Sequence, residues 1–407
     1  MKIKTIDKYG GLKGKTVFLR VDFNVPLEKG RIKDERKIDA GLPTIEHLIR
    51  NDCKIIIGTH LGRPQGKTVA GYSTKPLARK LSEFLGADQR KNKVPHTQKF
   101  GRIRFTQNIS GKEVKEAASG LDKRQVLFLE NLRFDKREEV NDKKFAKELA
   151  APADIYVNNA FSVSHRKHAS VHAIKKFLPA YAGLLLAKEV ESLERIRKGG
   201  KGLVIILGGA KIKTKLPLIN NLYKRASKIL IGGALANNFF VANNLQVGRS
   251  LVDTKRVAAT KRLIRKIPEN KLVLPVDVVV ANKKTKQAKV KVKNIHNINK
   301  SEYILDIGPE TLRIFSKHIK KGDVLIWNGP MGLFENDKFK HGSLSIGRLV
   351  ASRSKNKAFG LAGGGETVQA LGMTGMLEYM DWVSTGGGAM LSYLGSGKMP
   401  GLEDIIY

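Results

Sequence analysis

The chain is short of acid, of sulfur and of long apolar runs, and each shortage excludes something. Its one cysteine, Cys53, cannot form an internal disulfide. It stands before the apolar run Lys54–Ile57 and reads as a buried thiol in a reducing compartment. No apolar segment approaches the ~20 residues that cross a bilayer, and the opening MKIKTIDKYG is polar rather than a signal peptide. The expected location is the cytoplasm, with no membrane partner. Acidic residues number 37 against 75 lysines and arginines, for a net charge of +38. Such an excess attracts polyanions. The cations are scattered along the whole chain, however, and aromatics make up 7%, whereas a nucleic-acid binder concentrates its basic patch. The charge therefore reads as a solvated surface plus a smaller set of groups for anionic substrates, with no specific nucleic-acid partner.

What is present is an alternation of short apolar runs and amphipathic stretches over 407 residues, enough chain for two cores. In the first half, strands are expected at Thr16–Val21, Lys54–Ile57, Ile103–Thr106, Gln125–Leu129 and Asp154–Val157. Helices are expected at Arg36–Arg50, with Ile38, Leu42, Ile45 and Ile49 on one face, and at Pro76–Leu85. Gln89–Lys99 reads as a surface loop. In the second half, strands are expected at Leu203–Leu207, Lys228–Ile231, Lys271–Leu274, Val324–Trp327, Lys357–Leu361 and Asp381–Ser384. Ala281–Lys300 reads as a β excursion or an exposed loop. The fold class is α/β: two doubly wound, Rossmann-like parallel-sheet domains joined by a hinge helix. Residues 1–178 form one domain, 179–198 the hinge, 199–390 the other, and 391–407 return to the first.

The stretch LVIILGGAKIKTK, Leu203–Lys215, organises this scheme. A β-branched run suits a strand buried on both faces, Gly208 and Gly209 allow a tight turn, and Lys211 and Lys215 fall on one face of the following helix. That is a phosphate cradle. Ligands in such sheets bind at the carboxyl ends of strands. In the first half those ends carry Arg20, Asp22, Asn24, His60, Arg63, Arg133, His165 and Arg166, suited to a small carboxylated and phosphorylated molecule. In the second they carry glycine turns and lysines, suited to a nucleotide polyphosphate. Gly62–Thr68 imitates a Walker A loop, but it is one spacer short and its Pro64 removes an N–H.

Nine motifs in order then point to one family: RVDFNVPL, THLGRP, LENLRF, NNAFSVSHRKHAS, ILGGAKIKTK, LPVDVVVA, WNGPMGLFE, GGGET and VSTGGGA. Over essentially its whole length the chain resembles the phosphoglycerate kinases. The resemblance implies reversible phosphoryl transfer between 1,3-bisphosphoglycerate and ADP, giving 3-phosphoglycerate and ATP, with Mg²⁺ and with domain closure. A monomer is expected. Asp22, Asn24, His60, Arg63, Arg133 and Arg166 match the glycerate site. Gly209, Lys211, Lys215, Gly233, Asn328, Pro330, Leu333, Glu335, Gly364, Gly365, Glu366 and Thr367 match the nucleotide site, with Gly365 and Gly388 offering N–H groups to the reacting phosphoryl.

Two positions depart from the family. Glu366 stands where a metal-binding aspartate is expected. Lys37, with Arg36 one residue earlier, stands where an arginine caps the phosphoryl group in transfer. The phase of the apolar face favours Lys37. Two other readings share the scaffold, a weakened nucleotide sensor and a nucleic-acid-associated protein, but neither needs the glycerate-site arginines.

Overall fold

The computed structural model describes residues 2–28, 30–91, 102–199 and 202–407. It divides into two compact units, one of Met1–Glu191 with Met399–Tyr407 and one of Ser192–Lys398. The boundary falls inside the helix Leu184–Lys198. Ala180–Ala182, inside the expected hinge, is a strand of the first sheet. The last helix of the second unit runs to Gly395, so the return to the first unit begins at Met399 rather than at residue 391. Of the expected loop Gln89–Lys99, residues 89–91 extend the helix Lys75–Lys91, and 92–99 lie outside the described residues.

In the first unit, six parallel strands lie in the order Ile103–Phe105, Val126–Phe128, Lys54–Gly58, Thr16–Val21, Ile155–Asn159 and Ala180–Ala182. Alternation along the central strand builds both layers. Val17, Leu19 and Val21 join Ile38, Ile45, Leu48 and Ile49 of the helix Arg36–Arg50 in one core. Phe18 joins Ile56, Leu127 and Tyr156 in the other. Leu42, expected on the apolar face of that helix, packs half-buried against this core, and Gly41 and Thr44 are buried beside it. Met399–Tyr407 closes the unit: Ile406 bridges Ile3, Lys4 N donates to Ile405 O at 2.8 Å, and the buried Lys175 ammonium donates to Pro400 O at 2.8 Å.

In the second unit, six parallel strands run in the order Leu272–Val273, Lys228–Ile231, Leu203–Leu207, Val324–Asn328, Phe359–Gly363 and Trp382–Ser384. Val204, Ile206, Leu325 and Trp327 pack with Phe315, Ile346 and Val350 on one face. The lysine-rich stretch proves to be a β excursion. Val290–Asn294 pairs antiparallel with Asp277–Ala281, which pairs in turn with Tyr303–Ile307.

Asp277 also starts the helix Pro309–Lys321, whose own N-cap is Gly308 and brings no side-chain oxygen. Asp277 Oδ1 accepts from Thr311 N at 2.7 Å and from Thr311 Oγ1 at 2.6 Å, and Oδ2 accepts from Glu310 N at 3.1 Å. These are first-turn donors that the helix cannot satisfy itself. Asp277→Ala is expected to destabilise the second unit by about 1–2 kcal/mol, the range for losing a cap. Its thermal midpoint should fall and exchange at the Glu310 and Thr311 amides should accelerate. Unchanged exchange at both amides would remove the cap from the account.

Candidate functional site

Each sheet gathers polar groups at the carboxyl ends of its strands. In the first unit the centre is Arg20, the last residue but one of its strand and 0% exposed. Its Nε donates to Ser170 Oγ at 2.8 Å, one terminal nitrogen donates to Val21 O, and the other lies 3.2 Å from His60 Nδ1. Ser170 Oγ donates onward to Glu138 Oε1 at 2.6 Å, and Ser170 N donates to Glu138 Oε2 at 2.9 Å. Burial raises the Glu138 pKa.

Asp22 follows the same strand. Burial opposes its charge, but Lys37 and His60 and the hydrogen bonds from Lys37 and Ser162 outweigh that cost and hold its pKa far below the carboxylate range. Lys37 Nζ is 2.6 Å from Asp22 Oδ2, and Ser162 Oγ also donates to Oδ2. Asn24 N donates to Asp22 Oδ1 at 3.1 Å, and Asn24 Oδ1 accepts from Gly62 N at 2.9 Å. Arg36 turns the other way: its Nε binds Asp34 Oδ1 at 2.9 Å and the side chain is exposed. Adjacent helical residues differ by ~100° in direction, so one cation faces Asp22 and the other faces water.

Arg133 is 3% exposed; its Nη1 donates to Gly62 O at 2.8 Å, while its Nε lies 3.2 Å from Glu139 Oε1 but off the hydrogen-bond axis. Burial lowers its pKa to about 10, with Arg20 and Arg166 adding to the effect. Arg166 is half-buried and Arg63 exposed. Burial and the surrounding arginines push His60 well below its usual pKa and His168 to about 3, so both imidazoles are neutral at pH 7. Nδ1 of His168 and Nδ1 of His165 have no hydrogen-bond partner among the described residues. His168, Ser162 and Glu138 were not singled out by sequence, although His168 and Ser162 lie within a quoted motif.

In the second unit, backbone hydrogen bonds knit three glycine turns together. Gly208 N donates to Asn328 O at 3.0 Å, Gly209 N to Pro330 O at 2.7 Å, and Gly233 N to Met331 O at 3.0 Å. Gly209 and Gly329 have φ of +66° and +96°, and a Cβ on Gly329 would lie 2.4 Å from Gly208 O. Asn328 Nδ2 donates to Gly363 O at 2.5 Å and Gly329 N to Thr367 Oγ1 at 2.7 Å. Gly364 precedes the helix Gly365–Gly372, and a Cβ on Gly387 would lie 2.5 Å from Gly364 Cα. The turn Gly364–Gly365 thus lies against Gly387–Gly388.

The lysines part company. The helix begins at Ile212, so Lys211 is the non-helical residue before it and is exposed, not a partner of Lys215 on one helical face. Lys215 is buried and donates to Gly208 O. Burial lowers its pKa to about 8, helped by Lys211 and opposed by Glu366. A Cβ on Gly209 would meet Lys215 Nζ at 3.1 Å and Glu366 Oε2 at 3.5 Å, so ammonium and carboxylate flank one glycine turn. From there a cavity of about 210 Å³ opens, lined by Gly209, Gly233, Pro330, Leu333, Glu335 and Glu366 among others. Among the described residues no three His, Cys, Asp or Glu are placed to hold a metal by themselves, and no helix is long and apolar enough to cross a membrane.

One unit thus offers buried cations and the other a glycine-walled cavity. A family model described as phosphoglycerate kinase matches residues 6–398. A phosphoglycerate kinase of Prochlorococcus marinus (strain MIT 9515) is 40% identical over 408 residues, covering 99% of this chain and 98% of its own. The solved structure of phosphoglycerate kinase from Coxiella burnetii matches with a TM-score of 0.85 at 33% identity over 99% of both chains. That from Pyrococcus horikoshii OT3 matches with a TM-score of 0.83 at 29% identity, over 99% of this chain and 98% of that one. With sequence and fold both matched from end to end, this chain belongs to the phosphoglycerate kinase family.

Proposed function

We infer that the chain is a glycolytic kinase that moves a phosphoryl group reversibly between 1,3-bisphosphoglycerate and ADP, giving 3-phosphoglycerate and ATP. The observation that carries this reading is the split of chemistry between the units. Asp22, Arg20, Arg133 and Lys37 gather around His60 in the first, and glycine turns with Lys215 and Glu366 surround a cavity in the second. Asp22, Asn24, His60, Arg63, Arg133 and Arg166 hold the glycerate, neutral His60 acting as a hydrogen-bonding group rather than a charge. Gly209, Gly233, Asn328, Pro330, Leu333 and Glu335 hold the nucleotide. Transfer through a loose transition state asks for in-line positioning and positive charge rather than covalent help. Lys37 supplies charge from the glycerate side. Lys211, Lys215 and the N–H groups of Gly364, Gly365 and Gly388 supply it from the nucleotide side. With a reactant on each unit, turnover requires domain closure.

The donor set at Glu366 fits Mg²⁺, which takes one or two carboxylates and completes its shell with phosphate oxygens and water. Glu366 is an exposed carboxylate at the first turn of its helix, beside Lys215 and Gly209. Mg²⁺ held there would neutralise the nucleotide's phosphate charge. We read the protein as a cytoplasmic monomer without specific nucleic-acid partners, on its lone buried thiol and dispersed charge.

In a coupled assay with 3-phosphoglycerate and ATP, Lys37→Ala should lower kcat by about 10²–10³, while Arg36→Ala should change it by only a few-fold. The reverse ranking would give the role to Arg36. Lys215 carries its charge below its pKa of about 8 and loses it as pH rises through that value. Wild-type kcat/KM for ADP should therefore fall above pH 8, and Lys215→Arg, which stays charged, should flatten the profile. An identical decline in both proteins would clear Lys215 of the effect. Glu366→Asp should retain activity, whereas Glu366→Gln should need more magnesium to reach half-maximal rate. If Gln matches wild type at every magnesium concentration, the carboxylate is not a metal ligand.

A further inference from the structure

Among the polar side chains that line the cavity of the second unit, Asn237 has no part in phosphoryl transfer and keeps a buried acceptor. Asn237 sits on the helix Gly233–Ala242, one turn beyond Gly233, and lines the cavity with Ala236, Phe240 and Leu251. It is 1% exposed. Its Nδ2 donates to Leu251 O at 3.0 Å, which fixes the way the amide faces. Oδ1 is then a buried acceptor with no hydrogen-bond partner among the described residues. Asn238 shows the contrast, since its Nδ2 donates to Asp253 O at 2.8 Å and its Oδ1 accepts from Asp253 N at 3.1 Å. One asparagine uses both ends on the protein, and the other keeps an acceptor unpaired. Burial of an acceptor is unfavourable until a donor reaches it.

Position says which donor. Gly233 abuts Gly209 at the end of the cavity where Lys215 and Glu366 lie, and Asn237 is four residues, roughly 6 Å, farther along the helix axis. That is the side of the cavity away from the phosphate-facing turns. Ala236, Phe240 and Leu251 give it apolar walls suited to a flat ring. Resting on the reading of this cavity as the nucleotide site, we propose that Asn237 Oδ1 accepts a hydrogen bond from the exocyclic 6-amino group of adenine and so sets the preference for adenine over 6-oxopurine nucleotides. Hypoxanthine and guanine carry a carbonyl at that position, and two acceptors would then face each other across a desolvated gap. A site built to pair a donor rejects an analogue that lacks it.

Calorimetric titration of the full chain with ADP and with IDP tests this. Wild type should bind ADP about 10-fold more tightly than IDP, the scale of one net hydrogen bond. Asn237→Leu, which removes the acceptor at similar volume, should bring the ratio to about 1, chiefly by weakening ADP. A variant that loses affinity for both nucleotides equally would make Asn237 a tether for the Leu251 loop and overturn the proposal. If the variant does not fold, the wild type alone decides, with the diphosphate of purine riboside, which has no 6-amino group. About 10-fold weaker binding than ADP supports the assignment, and equal binding overturns it. Turnover with 1,3-bisphosphoglycerate is scored separately. Equal ADP and IDP affinity with turnover intact sinks the Asn237 assignment alone, whereas absent turnover sinks the reaction and leaves the affinity ratio to judge Asn237.

Discussion

A guanidinium with no exposed surface obliges its neighbours to be acceptors, and the first unit is arranged around that obligation. Arg20 is fully buried, and a buried cation left unpaired is strongly destabilising. Its donors are met by Ser170, Val21 and the His60 ring, and Ser170 is held in turn by Glu138. These contacts come from strand ends and loops far apart in sequence, so meeting the needs of Arg20 draws the loops into one place. Once they are there, Arg133, Arg166 and Lys37 add positive charge that internal acids only partly answer. The result is a cluster of cations whose members are ordered by folding rather than by a ligand. Lys215 plays a smaller version of this part in the second unit, where its ammonium is tied to the Gly208 carbonyl and its burial keeps the glycine turns close.

Much of this was legible in the chain because the parallel strands are buried on both faces and appear as dense β-branched runs. Leu203–Leu207 and Thr16–Val21 came out at their observed bounds. Ala180–Ala182 did not, since three residues of Ala-Tyr-Ala carry no periodicity to read. The cap that Asp277 places on a helix in a later part of the chain was invisible for another reason: no local spacing encodes a side chain delivered from another strand. Leu42 does pack against the core that Ile38, Ile45 and Ile49 enter, though only half-buried; the apolar pattern missed the small buried residues Gly41 and Thr44 beside it.

The site residues divide along the same line. Glycine turns and strand-end arginines announce themselves by type and order. What a given lysine does depends on a backbone angle at one residue, as with Lys211, whose ψ of 74° keeps it out of the helix that buries Lys215. Between Arg36 and Lys37 the helix phase is decisive, and that could be argued from Ile38 and Ile45 before any coordinates. Asn237 could not have been found that way. An acceptor becomes informative only when its other half is seen to be occupied.

The first unit is discontinuous, and that has a bearing on how the protein comes into being. Residues 192–398 form their unit from one uninterrupted stretch, whereas the unit begun at the amino end needs Met399–Tyr407 to cover Lys175 and pair with Ile3. A chain emerging from the ribosome amino end first releases every residue of the second unit before the first can be finished. The sheet of the first unit thus spends most of translation with its final strap missing, with the carbonyl acceptors for Lys175 not yet made. The part synthesised first is the part completed last.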